Sequence, residues 1–183
     1  MDSLSRKSPR RDQDIDQARR YLEALDPSTT SFTFQTYSDS PEAKERKKIA
    51  GQKATAERKK PFDPLGKTLH GSLEDHLDEL VRLNNRGASI CVTVNATDLA
   101  GREKGNIVQI RSIYRELDAA AKDMPGIIPH IEVCTSPGKK HEYAHVEPHS
   151  PVGDEFEGVM RHLTKEYGND PAAKDRSRVL RIP

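Results

Sequence analysis

Apolar positions recur along this chain in two rhythms, one near 3.6 residues and one near 2, and the alternation between them lays out the fold. Ile15, Ala18, Tyr21, Leu22 and Leu25 recur at helical spacing, and Asp26-Pro27 closes the run, which predicts a helix over 15–25. Ser31 to Tyr37 is β-branched and aromatic and ends at Ser38-Asp39-Ser40-Pro41, the pattern of a strand. Leu73, Leu77, Leu80, Val81 and Leu83 mark a second helix. Ser72 and Asp75 are spaced for a capping box at its start, and Gly87 is placed to end it.

Further on, Ala88 to Val94 is short and almost wholly apolar, as expected of a strand covered on both faces, and a polar loop is expected over Asn95 to Asn106. Ile107 to Leu117 and Ile127 to Cys134 read as two more strands, separated by an Ala-rich stretch that Pro125-Gly126 breaks. Glu142 to Val146 alternates like a strand. Glu155 to Tyr167 carries Phe156, Val159, Met160, Leu163 and Tyr167 on one helical stripe before Gly168, and Val179 to Ile182 reads as a closing strand. The connections are too short and irregular for a doubly wound repeat, which predicts an α+β fold with a mixed, largely antiparallel sheet and flanking helices.

Composition changes that picture in one respect. Only 33% of the residues are apolar against 32% charged, so part of the length is expected to be solvated rather than packed. Residues 1–13 are expected to form a disordered basic tail and 42–60 a charged linker or insertion, with one domain spanning 14–183. The formal charge of +1 hides basic runs at Ser3 to Arg11 and Lys44 to Lys60 and an acidic lean from Asp63 to Glu79. Cys91 and Cys134 sit in apolar runs, not in a CxxC pair, and read as core residues in a reducing compartment. No stretch has the ~20 apolar residues of a membrane span, and no apolar segment follows the N-terminal basic residues, so a cytoplasmic protein without membrane partners is expected.

Candidate chemistry concentrates in the C-terminal half. In Glu116-Leu117-Asp118, at the end of a predicted strand, the period of two sends both carboxylates and Tyr114 to one face, with the acids ~6–7 Å apart at Cα. Hard divalent cations take several carboxylate oxygens, and nucleotidyl transfer uses two metals ~3.5–4 Å apart, so the pair suits such ions. Downstream, Ser136-Pro137-Gly138-Lys139-Lys140-His141 sets a turn, two cations and an imidazole between strands, a combination able to hold a triphosphate. Arg178 and Arg181 flank the last strand, where guanidinium geometry suits phosphate or a template backbone.

With these elements in this order, the chain resembles the archaeo-eukaryotic primase (prim-pol) superfamily, in its RepB-like phage and plasmid branch. The resemblance is carried by Val94 to Arg102, Val108 to Asp118, Thr135 to Tyr143 and Asp170 to Pro183. It implies an RRM-like catalytic core and primer synthesis on a single-stranded DNA template from nucleoside triphosphates with Mg²⁺ or Mn²⁺. A replicative helicase is the further partner it implies. It further implies an acid-x-acid motif at Glu116 and Asp118, a nucleotide-binding His141 and a third metal-binding acid at Asp170, with Asp175 the competing candidate. Ser136, Lys139, Lys140, Arg178 and Arg181 complete the expected nucleotide-binding set. Glu116 departs from the Asp common at the first position. Relatives continue past the position of Pro183 with a glycine and an aromatic segment, so the catalytic core is expected to extend beyond this sequence.

Two other readings compete. His141-Glu142-Tyr143-Ala144-His145 matches H-E-x-x-H, which chelates zinc only on a helix, where residues four apart share a face. Here the segment alternates like a strand, which would hold the two imidazoles ~13 Å apart, so a zinc hydrolase is the remote alternative. The nearer alternative is a non-catalytic DNA-binding replication protein of the same fold, using Lys44 to Lys60 and Arg176 to Arg181 on the backbone.

Overall fold

The computed structural model describes residues 9–43, 45, 46, 49, 62–117, 126–147, 154–170 and 173–183. Helix α1 (Pro9–Leu25) begins inside the stretch expected to be disordered; proline is at home in a first helical turn, where its missing N–H has no partner to lose. Strand β1 (Phe32–Ser38) follows, then residues 41–43, 45, 46 and 49 in helical conformation within the predicted linker, and β2 (Thr68–Gly71). Helix α2 (Leu73–Asn85) starts on the predicted capping box, with Ser72 Oγ accepting from Asp75 N–H and the Asp75 carboxylate accepting from Ser72 N–H. Gly87, at φ 88°, ends it.

Strands β3 (Ala88–Thr93), β1, β2 and β9 (Val179–Arg181) form one antiparallel sheet in the order β2-β1-β3-β9. Helix α2 packs on it, with Phe34 edge-on to His76. A second antiparallel sheet, in the order β6-β8-β7, comprises β6 (Ser112–Leu117), β7 (Ile131–Ser136) and β8 (Lys139–His145). Helix α3 (Asp154–Tyr167) packs on β6, and α1 lies against β7, with its Tyr21 edge-on to Tyr143 of the neighbouring β8 at 5.6 Å. One continuous core of buried residues runs through both sheets, from Phe34 and Val92 to Tyr114, Tyr143 and Met160. The fold is therefore α+β with antiparallel sheets. Among the described residues no helix is long and apolar enough to cross a membrane.

Several expectations are corrected. Ile107 to Leu117 is two strands, not one: β5 (Ile107–Gln109) pairs with β4 (Ala96–Thr97), and the chain turns at Ile110-Arg111 before β6. The break is held by Asn95, expected in a solvated loop but fully buried, whose Oδ1 accepts from Arg111 N–H at 3.0 Å while its Nδ2 donates to the Arg176 carbonyl at 2.9 Å. Strand β7 begins at Ile131 rather than Ile127, and Ile128 is exposed. On α3, Phe156, Met160 and Leu163 are buried, but Val159, on the flank of the stripe, is exposed. Cys91 is buried as expected; Cys134 faces outward and is exposed.

Candidate functional site

The pairing of β6 with β8 fixes which side chains meet. Glu116 lies opposite His141, Tyr114 opposite Tyr143 and Ser112 opposite His145, so these six share one face of the second sheet. Ile113, Arg115 and Leu117 share the other with Ala144, Glu142 and Lys140. Strands β7 and β8 are joined by Pro137-Gly138, with Gly138 at φ 74°, the left-handed conformation that a proline-glycine turn needs at its second position.

On the Glu116 face, the C-terminal loop closes over the strand end. Asn169 Oδ1 accepts from Glu116 N–H at 2.7 Å, and Asp170 N–H donates to the Glu116 carbonyl at 3.4 Å, so residues 169 and 170 pair with the free edge of β6. Arg178 then reaches back. Its Nε donates to Glu116 Oε1 at 2.8 Å, and its Nη2 is ion-paired with the same oxygen at 2.7 Å and stands 3.8 Å from Asp170 Oδ2. The loop bearing Arg178 is fastened by Tyr114 Oη donating to the Asp175 carbonyl at 2.6 Å, by Asn95, and by Val94 N–H donating to the Arg178 carbonyl at 3.2 Å.

His141 faces the same cluster. Its Nδ1 is buried without a hydrogen-bond partner, and its pKa is pushed down to about 4 by burial, with the charges of Arg178 and Arg181 adding to the effect. The ring is therefore neutral near pH 7, with one nitrogen able to donate and the other to accept. Arg181 also holds Asp39 at 2.6 Å across the first sheet. The result is a site with two carboxylates, a neutral imidazole and two guanidinium groups at the junction of the two sheets.

Of the expected site residues, Glu116, His141, Asp170, Arg178 and Arg181 come together. Asp118 lies outside the described residues. Lys140 does not join them: it stands on the opposite face, ion-paired with Glu142 at 2.6 Å and Glu132 at 3.0 Å. Ser136 and Lys139 are exposed at the hairpin turn. Asp175, the competing third acid, is folded into its own loop, its Oδ1 accepting from Ser177 N–H and Oγ, both at 2.9 Å. Tyr143 is fully buried and packs against Tyr21. Asn169, not anticipated, is buried beside Glu116 and carries no sequence signal beyond its place after a helix-ending glycine.

His141 and His145 lie on a strand, at opposite ends of one sheet face, and His145 Nδ1 is engaged by Ser112 Oγ at 2.9 Å. A helical zinc motif is thus absent. Among the described residues no group of three or more His, Cys, Asp or Glu is placed to hold a metal ion. Glu116 and Asp170 offer the carboxylate oxygens that a hard cation takes, and one cationic group, the guanidinium of Arg178, is already within 4 Å of both. Comparison with known proteins adds no assignment: no family model, curated protein or solved structure matches the chain.

Proposed function

We propose that this protein is a primase-type nucleotidyltransferase of RRM-like core, which joins nucleotides on a single-stranded DNA template in phage or plasmid replication. The observation that supports it most is the cross-strand pair Glu116–His141, with Asp170 fastened beside it. An acid strand, a histidine strand and a following acid loop meet here in the order the resemblance implies.

In this reading Glu116 and Asp170, together with Asp118, would hold two Mg²⁺ or Mn²⁺ ions, one of which would lower the pKa of the attacking 3′-hydroxyl and the other neutralise the pyrophosphate leaving group. The protein's own residues do the positioning. Neutral His141 makes a hydrogen bond to the incoming triphosphate, and Arg178 and Arg181 supply the positive field that draws it in. Asn169 and Asp170 hold the end of β6 against lateral movement, which keeps Glu116 in register with His141. Nucleoside triphosphates, the template and a replicative helicase are the partners this implies, in the cytoplasm of the host cell.

The test is primer synthesis on single-stranded DNA with labelled nucleotides and Mn²⁺ or Mg²⁺, comparing the wild type with Asp118→Ala. Metal-dependent oligonucleotides from the wild type alone are expected. DNA binding that falls steeply with salt, with no synthesis and no response to divalent ions, would instead indicate the non-catalytic replication protein.

A further inference from the structure

The guanidinium of Arg178 is within ion-pair distance of both carboxylates. Its Nε donates to Glu116 Oε1 at 2.8 Å, and Nη2 stands 2.7 Å from that same oxygen and 3.8 Å from Asp170 Oδ2. An Mg²⁺ ion sits about 2.0–2.1 Å from its oxygen ligands and a larger divalent ion about 2.3–2.6 Å. An ion at that distance from Glu116 Oε1 competes with Nε and Nη2 for the same oxygen. Arg178 is only half-buried, on the loop just before β9, so its side chain has room to leave. His141, which feels the Arg178 charge, lies alongside.

We propose that Arg178 is a built-in competitor for the divalent cation: it neutralises Glu116 and Asp170 in the metal-free protein and is displaced when the ion binds. The freed guanidinium then becomes available to an anionic ligand beside His141, a triphosphate or pyrophosphate group. Ion binding and anion binding are thereby coupled through one side chain. This rests on the proposed assignment of Glu116 and Asp170 as ion ligands and adds the device that regulates them.

The experiment is a Mn²⁺ titration without nucleotide, read by the electron paramagnetic resonance signal of the free ion, on wild type, Arg178→Gln and Arg181→Gln. Removing a charge-assisted contact from the ligand oxygen is expected to tighten Mn²⁺ binding about tenfold in Arg178→Gln. Arg181→Gln, which removes the same charge nearby but none from the acids, is expected to change it by less than about twofold. Independently of any variant's folding, the Arg178 Nε–H resonance of ¹⁵N-labelled wild type should shift and exchange faster with water as Mg²⁺ is added. Equal Mn²⁺ affinity in wild type and a folded Arg178→Gln, or an Nε–H resonance that stays fixed while Mg²⁺ binds, overturns the competitor and leaves the ion site standing. Absence of ion binding in wild type and Arg178→Gln alike overturns both.

Discussion

The backbone N–H of Asp170 donates to the backbone carbonyl of Glu116, so two acids 54 positions apart in sequence are joined through the main chain and not only through a shared cation. This matters because a side-chain contact can be lost by rotation, whereas a backbone contact moves only if the strand or the loop moves. Asn169 completes the arrangement by accepting the Glu116 N–H on the side of β6 away from β8. The relative position of the two carboxylates is therefore a property of the fold.

Asn169→Ala should show how much that fastening contributes. It removes the acceptor at 2.7 Å and leaves a partly buried N–H unpaired, an effect of about 1–3 kcal/mol. Urea unfolding of the variant should show a loss in that range with the m-value unchanged. A loss below about 0.5 kcal/mol would mean that water replaces Asn169 at the strand edge.

The two faces of β6–β8 should respond differently to loss of a cation. Arg115 is buried, paired with Glu142 at 3.2 Å, and its ring-stacking neighbour Tyr167 lies 5.9 Å away. Arg115→Ala removes a buried charge-assisted contact while Lys140 still pairs with Glu142, and should cost about 1.5–3 kcal/mol, measured by chemical denaturation. Lys140, more than a third exposed, belongs to a surface pair, so Lys140→Ala should stay within about 1 kcal/mol of wild type. Because Lys140 is on the face away from His141, nucleotide affinity measured by isothermal titration should also be unchanged.

How far the sequence foretold this site can be judged residue by residue. Periodicity located α1, β1, α2, β3, α3 and β9, because each buries a regular stripe or a continuous apolar run. The division of Ile107 to Leu117 was not legible, since it depends on Asn95, a residue outside the stretch whose burial no local pattern signals. The opposition of Glu116 and His141 was equally hidden, as strand register is set by pairing and not by composition. Lys140 is a different case. Adjacent residues of a strand point to opposite faces, so its separation from His141 was contained in the alternation itself.

His141 should make the protein less stable in mild acid. Its pKa in the folded state is about 4, below the ~6.5 of an unfolded histidine, so between these values the unfolded chain binds the additional proton. The sign follows: stability from this group is unaffected above about pH 6.5 and falls as pH drops towards 4. Allowing for its partial exposure, the loss is on the order of 2 kcal/mol. Denaturation midpoints between pH 4 and 7 should therefore vary less in His141→Gln than in wild type, and the imidazole resonances of His141 should titrate near pH 4. Midpoints with the same pH slope in both proteins would show that the ring is solvated and ordinary.

Asp170 and Asp175 can be separated by substitution because the structure gives them different work. Asp170 is joined to Glu116 and lies beside Arg178, whereas the Asp175 carboxylate accepts two hydrogen bonds from Ser177 and lies 3.9 Å from Lys104. If primer synthesis depends on an ion held at Glu116, Asp170→Asn removes a charged oxygen ligand and should lower kcat at least about a hundredfold, with melting temperature nearly unchanged. Asp175→Asn keeps an acceptor for Ser177, so it should hold kcat within about tenfold and lower stability by roughly 0.5–1.5 kcal/mol. Single-turnover extension of a labelled primer, run beside thermal melts of both variants, checks the pair. The reverse ranking, with Asp175→Asn inactive and Asp170→Asn active, would move the third acid to Asp175 and require the 173–178 loop to rearrange before catalysis, since its present hydrogen bonds turn that carboxylate towards Ser177.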